Sequence, residues 1–152
     1  MIKFSKLTDY AVVILSTLQN SDKNLLSAST IALRSRLPEP TVSKVLKLLV
    51  RADIITSLRG SNGGYALQKS SNSITVYDIA AAIEGPVSLT ACVDDSENAC
   101  DLAHSCAVNG RWDGVNEAVK NALKSVTIAN MITPNPFLDD KELKIHKESK
   151  RA

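Results

Sequence analysis

Apolar residues recur with a helical period through the first fifty positions. Leu7, Ala11, Ile14, Leu15 and Leu18 fall on one face of a predicted helix, with Thr8 placed to cap it. The polar run Asn20-Ser21-Asp22-Lys23-Asn24 reads as a turn. Ser27 then caps a short second helix that carries Ile31 and Ala32 inward and ends near Arg36. Pro38 and Pro40 punctuate the chain, and Pro40 suits the first position of a third helix. Val42, Val45, Leu46 and Leu49 form the buried stripe of that helix, which leaves Thr41, Ser43, Lys44, Lys47 and Arg51 for its outer surface.

The period then shortens. Ile54-Ile55-Thr56-Ser57-Leu58-Arg59 is β-prone and Tyr65-Ala66-Leu67 can return beside it. The intervening Gly60-Ser61-Asn62-Gly63-Gly64 permits the positive φ angles of a hairpin. Helix, tight link, helix with outward polar and basic groups, then hairpin is the order of a winged helix-turn-helix. A fourth helix follows, capped by Thr75 with Asp78 three residues on as a capping box; Ile79, Ala82 and Ile83 face inward and Gly85-Pro86 stops it. Residues 87–110 show weak periodicity. From Trp112 a narrow apolar seam of Trp112, Val115, Val119, Ala122 and Val126 has the 3,4 spacing that packs along a partner helix, and Thr127 caps one more turn to Ile132. Beyond Thr133, prolines and a Lys/Glu-rich run predict a weakly ordered tail.

These elements predict a mainly α fold with a small β-hairpin wing. The winged helix-turn-helix domain covers 1–86, a cysteine-bearing loop 87–110, a long dimerisation helix 111–132 and a flexible tail 133–152. A length of 152 residues with 44% hydrophobic content supports a proper core without disulfides. No run of 18 apolar residues is present, which argues against a membrane partner, and the start Met1-Ile2-Lys3-Phe4-Ser5-Lys6 lacks an apolar signal core, so a cytoplasmic protein is expected.

Charge sharpens the picture. The net charge is +2, yet residues 1–70 carry ten Lys/Arg against four Asp/Glu, whereas 71–110 carry six acids and no Lys/Arg. A basic amino-terminal half points to double-stranded nucleic acid as partner. On the third helix Thr41 and Ser43 offer hydroxyls for base edges, and Lys44 and Lys47 offer cations for phosphates. In the wing, Arg59 is the cation for a narrow minor groove, and the small tip Gly60, Ser61, Asn62 and Gly63 lets the backbone come close. Tyr65 belongs to the hairpin core. The wing lacks the Gly-Lys-Ser/Thr ending of a phosphate loop.

The three cysteines, Cys92, Cys100 and Cys106, lie in one short segment. Clustered thiols bind metal or exchange electrons. Seven and five intervening residues lack the short knuckle usual for structural zinc, and the wide spacing suits an iron–sulfur cluster, a larger object. Zinc and a redox disulfide stay open as alternatives. Asp94, Asp95, Glu97 and Asp101 make the loop acidic, which does not favour an anionic cluster. Three thiolates leave one coordination position, for which His104 is the in-loop candidate and Asn109 a poorer donor. His104 and the only other histidine, His146, are far apart in sequence, and no Gly-x-Ser-x-Gly, Walker or dinucleotide motif occurs, so neither an enzyme nor a small-molecule substrate is expected.

Taken together, Leu7-Thr8-Asp9-Tyr10-Ala11, Arg59-Gly60-x-x-Gly63-Gly64-Tyr65, Ile83-Glu84-Gly85-Pro86, the three cysteines and Val126-Thr127-Ile128-Ala129 resemble the winged-helix iron–sulfur regulators that include IscR, NsrR, RirA and the SUF-system regulator. The resemblance spans about residues 1–132 and looks most like the SUF branch. It implies a homodimer held by the helix from Trp112, a 2Fe–2S or 4Fe–4S cluster on the three cysteines, and operator binding that follows cluster state. Nitric oxide or iron is the signal in other branches. In the IscR branch a histidine three residues past the last cysteine is the fourth ligand, where this chain has Asn109. In the NsrR branch an aspartate before the first-helix tyrosine ligates from the partner subunit, and this chain keeps it as Asp9. Asp9 therefore ranks before His104 as fourth ligand. Ser43 stands where IscR carries glutamate, so operator preference differs.

Overall fold

Helix α1 (Lys6–Gln19) lays Ala11, Ile14, Leu15 and Leu18 into the core, where the first three are fully buried. The computed structural model describes residues 3–21, 25–60, 62–91, 93 and 105–132. The cap of α1 differs from expectation: Ser5, not Thr8, is the capping residue, and its own side chain makes no capping bond. Thr8 is instead buried inside the first turn. Helix α2 (Ala28–Ser35) begins as its sequence predicts, with the Ser27 hydroxyl accepting the Thr30 N–H at 3.1 Å. It ends on Arg36 in the left-handed region (φ 57°).

Helix α3 (Glu39–Arg51) starts one residue earlier than Pro40 suggests, which places Pro40 at the second helical position, where a missing N–H still costs nothing. Val42, Val45, Leu46 and Leu49 are fully buried against α1 and α2. Strands β1 (Ile55–Leu58) and β2 (Gly64–Leu67) then pair antiparallel, with Ile55 opposite Leu67 and Leu58 opposite Gly64. Leu26 and Tyr65 exchange both backbone hydrogen bonds (3.0 and 2.8 Å), so the wing is tied to the residues that lead into α2.

Helix α4 (Val76–Glu84) carries the expected box: the Thr75 hydroxyl accepts the Asp78 N–H and the Asp78 carboxylate accepts the Thr75 N–H. Ile79 and Ala80 are its buried residues, while Ala82 and Ile83 pack half-buried at the core margin. Gly85 ends it at φ 90°. The segment 111–132 is two helices, α5 (Asp113–Lys124) and α6 (Ile128–Ile132), and the second starts at the Thr127 cap that its sequence predicts, with the Thr127 hydroxyl accepting the Asn130 N–H at 3.3 Å. Between them Val126 accepts the Val76 N–H, and Ile128 donates its N–H to Ile74 and buries its side chain fully in the core. The chain thus returns to the winged domain after α5. Tail residues 133–152 lie outside the described residues, as do Asp22, Lys23 and Asn24.

Candidate nucleic-acid interface and cysteine site

The α3 stripe decides what α3 can present. With Val42, Val45, Leu46 and Leu49 inward, the remaining positions form one outer surface: Lys44, Lys47 and Arg51 are exposed, and Thr41 and Ser43 are half-buried at its edge. Arg59, Gly60 and Asn62 are exposed at the tip of the hairpin, while Ser61 lies outside the described residues. Among the described residues no carboxylate forms an ion pair with Lys44, Lys47, Arg51 or Arg59. The face therefore carries an unneutralised positive charge, the condition for phosphate binding. The tightness of the tip is set by Gly63, whose N–H donates to the Gly60 carbonyl at 3.0 Å. A Cβ there would stand 2.3 Å from the Leu58 carbonyl oxygen, so only glycine fits.

The hinge between winged domain and cysteine loop holds a contact that the helix periods do not reveal. Glu84, last residue of α4, accepts the Ser5 N–H at 2.9 Å and the Thr8 hydroxyl. It caps α1 from a residue 79 positions away. Hydrogen bonding to the Ser5 side chain, then to the Thr8 hydroxyl, favours the ionised carboxylate and holds Glu84 below its ordinary range; burial opposes this, and the Ser5 N–H adds the smallest lowering. The available signal was an acid in the last turn of a helix, where the macrodipole disfavours it unless a partner stands nearby.

Asp9 sits exposed in the same first turn of α1. Cys106 is half-buried and a free thiol, at the start of a run of turns that feeds α5: Asn109 bonds to Cys106, Arg111 to Val108 and Asp113 to Gly110 through the backbone. Cys92, Cys100 and His104 lie outside the described residues, so their gathering with Cys106 or Asp9 is not described. Among the described residues no three Cys, His, Asp or Glu side chains converge on one point. Three thiolates with one oxygen or imidazole donor are the donor chemistry an iron–sulfur cluster takes, and of that set only Cys106 and Asp9 fall among the described residues. Cys106 is a free thiol, and Asp113, at the first position of α5, has a buried Oδ1 with no hydrogen-bond partner among the described residues.

Helix α5 is inverted. Its buried residues are the polar Asn116 and Lys120, whereas Trp112 before it and Val115 on it are 42% and 48% exposed. Ala122 is exposed too, and Val119 is half-buried. Lys120 pairs with Glu117 at 3.2 Å, and Lys124 stands over the Tyr77 ring of α4, 4.9 Å from its centre. The Asn116 amide accepts the Leu89 N–H at 3.1 Å and donates to the Val87 carbonyl at 3.2 Å. Reading apolar positions as inward-facing misses both buried polar residues.

Among the described residues no helix is long and apolar enough to cross a membrane. Residues 4–134 match the Rrf2 family, described as an iron-dependent transcriptional regulator. The chain is 24% identical over 131 residues to the HTH-type transcriptional regulator IscR of Klebsiella pneumoniae, covering 86% of this chain and 79% of that protein. Its fold is similar to that of CymR, the global cysteine regulator of B. subtilis, with a TM-score of 0.65 and 28% identity across 91% of this chain and 100% of that one. It is also similar to IscR of T. potens, with a TM-score of 0.60 and 26% identity, covering 99% and 93% respectively.

Proposed function

Because the chain belongs to the Rrf2 family of transcriptional regulators, we propose that it is a dimeric, iron–sulfur-sensing regulator of iron–sulfur cluster assembly genes of the SUF type. It is a helix-turn-helix DNA-binding regulator and not an enzyme. In the proposed complex α3 enters the major groove, where Thr41 and Ser43 meet base edges and Lys44 and Lys47 meet phosphates. The Arg59 wing follows into the adjoining minor groove.

The observation that carries the dimer is the inverted amphipathicity of α5. Exposed Trp112 and Val115, with Val119 and Ala122 at helical spacing, form an apolar stripe on the outside of a helix whose inside is polar. A second copy covers that stripe with its own, because the 3,4 repeat is self-complementary about a two-fold axis. Two α3 helices then address half-sites about 34–36 Å, or a multiple of it, apart.

Cys92, Cys100 and Cys106 hold the cluster in this reading, with Asp9 as fourth donor, supplied by the partner subunit, and His104 as the alternative. A cluster so held supplies a labile, redox-active group that responds to iron, oxidant or nitric oxide. The free thiol of Cys106 and its place at the foot of α5 support the assignment. The seven residues between Cys92 and Cys100 favour the SUF reading, whereas Asp9 favours a nitric-oxide-responsive repressor as second reading.

Anaerobic purification with iron and acid-labile sulfide analysis tests the cofactor. The expected product is brown, with iron and sulfide in similar amounts. A colourless protein carrying zinc, or a disulfide, rejects it. Asp9→Ala is expected to shorten the lifetime of the visible absorbance more than His104→Ala, and equal, negligible effects reject Asp9 as ligand.

A further inference from the structure

An asparagine that is only 1% exposed is costly to bury unless both halves of its amide are satisfied. Asn116 satisfies both on one short stretch of backbone, the Leu89 N–H and the Val87 carbonyl. These are the two groups, flanking Ser88, that one residue of a neighbouring parallel strand would engage. A side chain of α5 therefore does for this segment what a sheet partner would do.

The segment is pinned again just upstream, where Glu84 grips the Ser5 N–H and Thr8 at the start of α1. Between the two grips lies only the turn at Gly85-Pro86. Residues 87–89 thus cannot shift without breaking both amide bonds or carrying α5 with them. Asn116 is on the next face round the helix from Val115 and Val119, so a displacement at its amide reaches the apolar stripe directly.

We propose that Asn116 is the positioning residue that couples the chain segment entering the cysteine loop to α5, so that the loop root and the dimer stripe move as one unit. The inference rests on the reading of the cysteine loop as the sensing element. Removing the amide uncouples the two while leaving the thiols and the α3 face untouched.

The test compares full-length wild type, Asn116→Leu and Asn116→Asp. Leucine keeps the branched heavy-atom shape and deletes both bonds, whereas aspartate keeps an acceptor for the Leu89 N–H and loses the donor to Val87. Two quantities are read: hydrogen exchange of the Leu89 amide, and the ratio of operator affinities between cluster-loaded and cluster-stripped protein. In Asn116→Leu the Leu89 amide is expected to exchange at least about tenfold faster. The affinity ratio is expected to fall towards one, with iron and sulfide content unchanged. Asn116→Asp is expected to keep Leu89 protection and show a reduced ratio, and it carries the test if the leucine variant does not fold. A ratio equal to wild type in either variant, or unchanged Leu89 exchange in Asn116→Leu, overturns the proposal.

If the wild type holds no iron or sulfide, the cluster reading fails on its own. The coupling is then read from operator affinity before and after alkylation of the thiols with iodoacetamide. A response in the wild type that Asn116→Leu loses supports the coupling; equal responses, or none in the wild type, overturn it.

Discussion

A carboxylate in the last turn of a helix faces the carbonyl ends of the backbone dipoles, and Glu84 occupies that place in α4 because the amino end of α1 lies beside it. Its folded pKa is lowered, so its contribution to stability is fully present above the ordinary glutamate range and is lost as pH falls through the lowered value. Glu84→Ala is expected to cost about 1 kcal/mol at pH 7, the usual worth of a helix cap. Glu84→Gln is expected to flatten the acid limb of the stability curve, which chemical denaturation across a pH series checks. Thr8 was legible as a capping type but not as a donor to Glu84, because the group that needs it arrives from the other end of the winged domain. At the wing tip, Gly63→Ala drives a methyl group into the Leu58 carbonyl. That variant is expected to lose at least about 1 kcal/mol, read as a lower melting temperature, and to weaken operator binding. Calorimetry and a DNA titration read the two effects separately.

At the scale of elements, α3 was readable almost residue by residue, since Val42, Val45, Leu46 and Leu49 form an amphipathic stripe that packing then obeys. What it leaves outside makes a second prediction. Lys44→Ala and Lys47→Ala are each expected to weaken binding to all DNA sequences alike and to lower the slope of log affinity against log salt by about 0.9. Thr41→Ala or Ser43→Ala is expected instead to alter preference among operators at an unchanged slope. Helix α5 was legible in its period and in the apolar seam it sets aside for a partner helix. What periodicity did not name is its inner face, the buried polar pair Asn116 and Lys120. Val115→Glu is expected to leave the winged domain folded and to convert the proposed dimer to monomer by light scattering. Operator affinity then falls by roughly 100-fold as the second half-site contact is lost.

At the scale of the molecule, three units are connected through short, hydrogen-bonded joints. The wing is tied to the lead-in of α2 by Leu26 and Tyr65, the end of α4 to α1 by Glu84, and the start of the cysteine segment to α5 by Asn116. The order of elements follows from local pattern, so the winged fold was visible in the sequence. The joints were not, because each pairs groups far apart in the chain and uses a polar residue that periodicity ignores. The cysteines were visible as a cluster in sequence, and Cys106 alone falls among the described residues. Their proposed service to a common cofactor rests on the chemistry of clustered thiols, and its consequence for DNA is measurable. Operator affinity at fixed salt, taken on anaerobically purified protein before and after cluster removal, tests that consequence most directly. Affinities are expected to differ by roughly fivefold or more, the range of an allosteric coupling. The variant with all three cysteines changed to serine is expected to match the stripped protein. Equal affinities for loaded, stripped and serine-substituted protein would contradict that expectation.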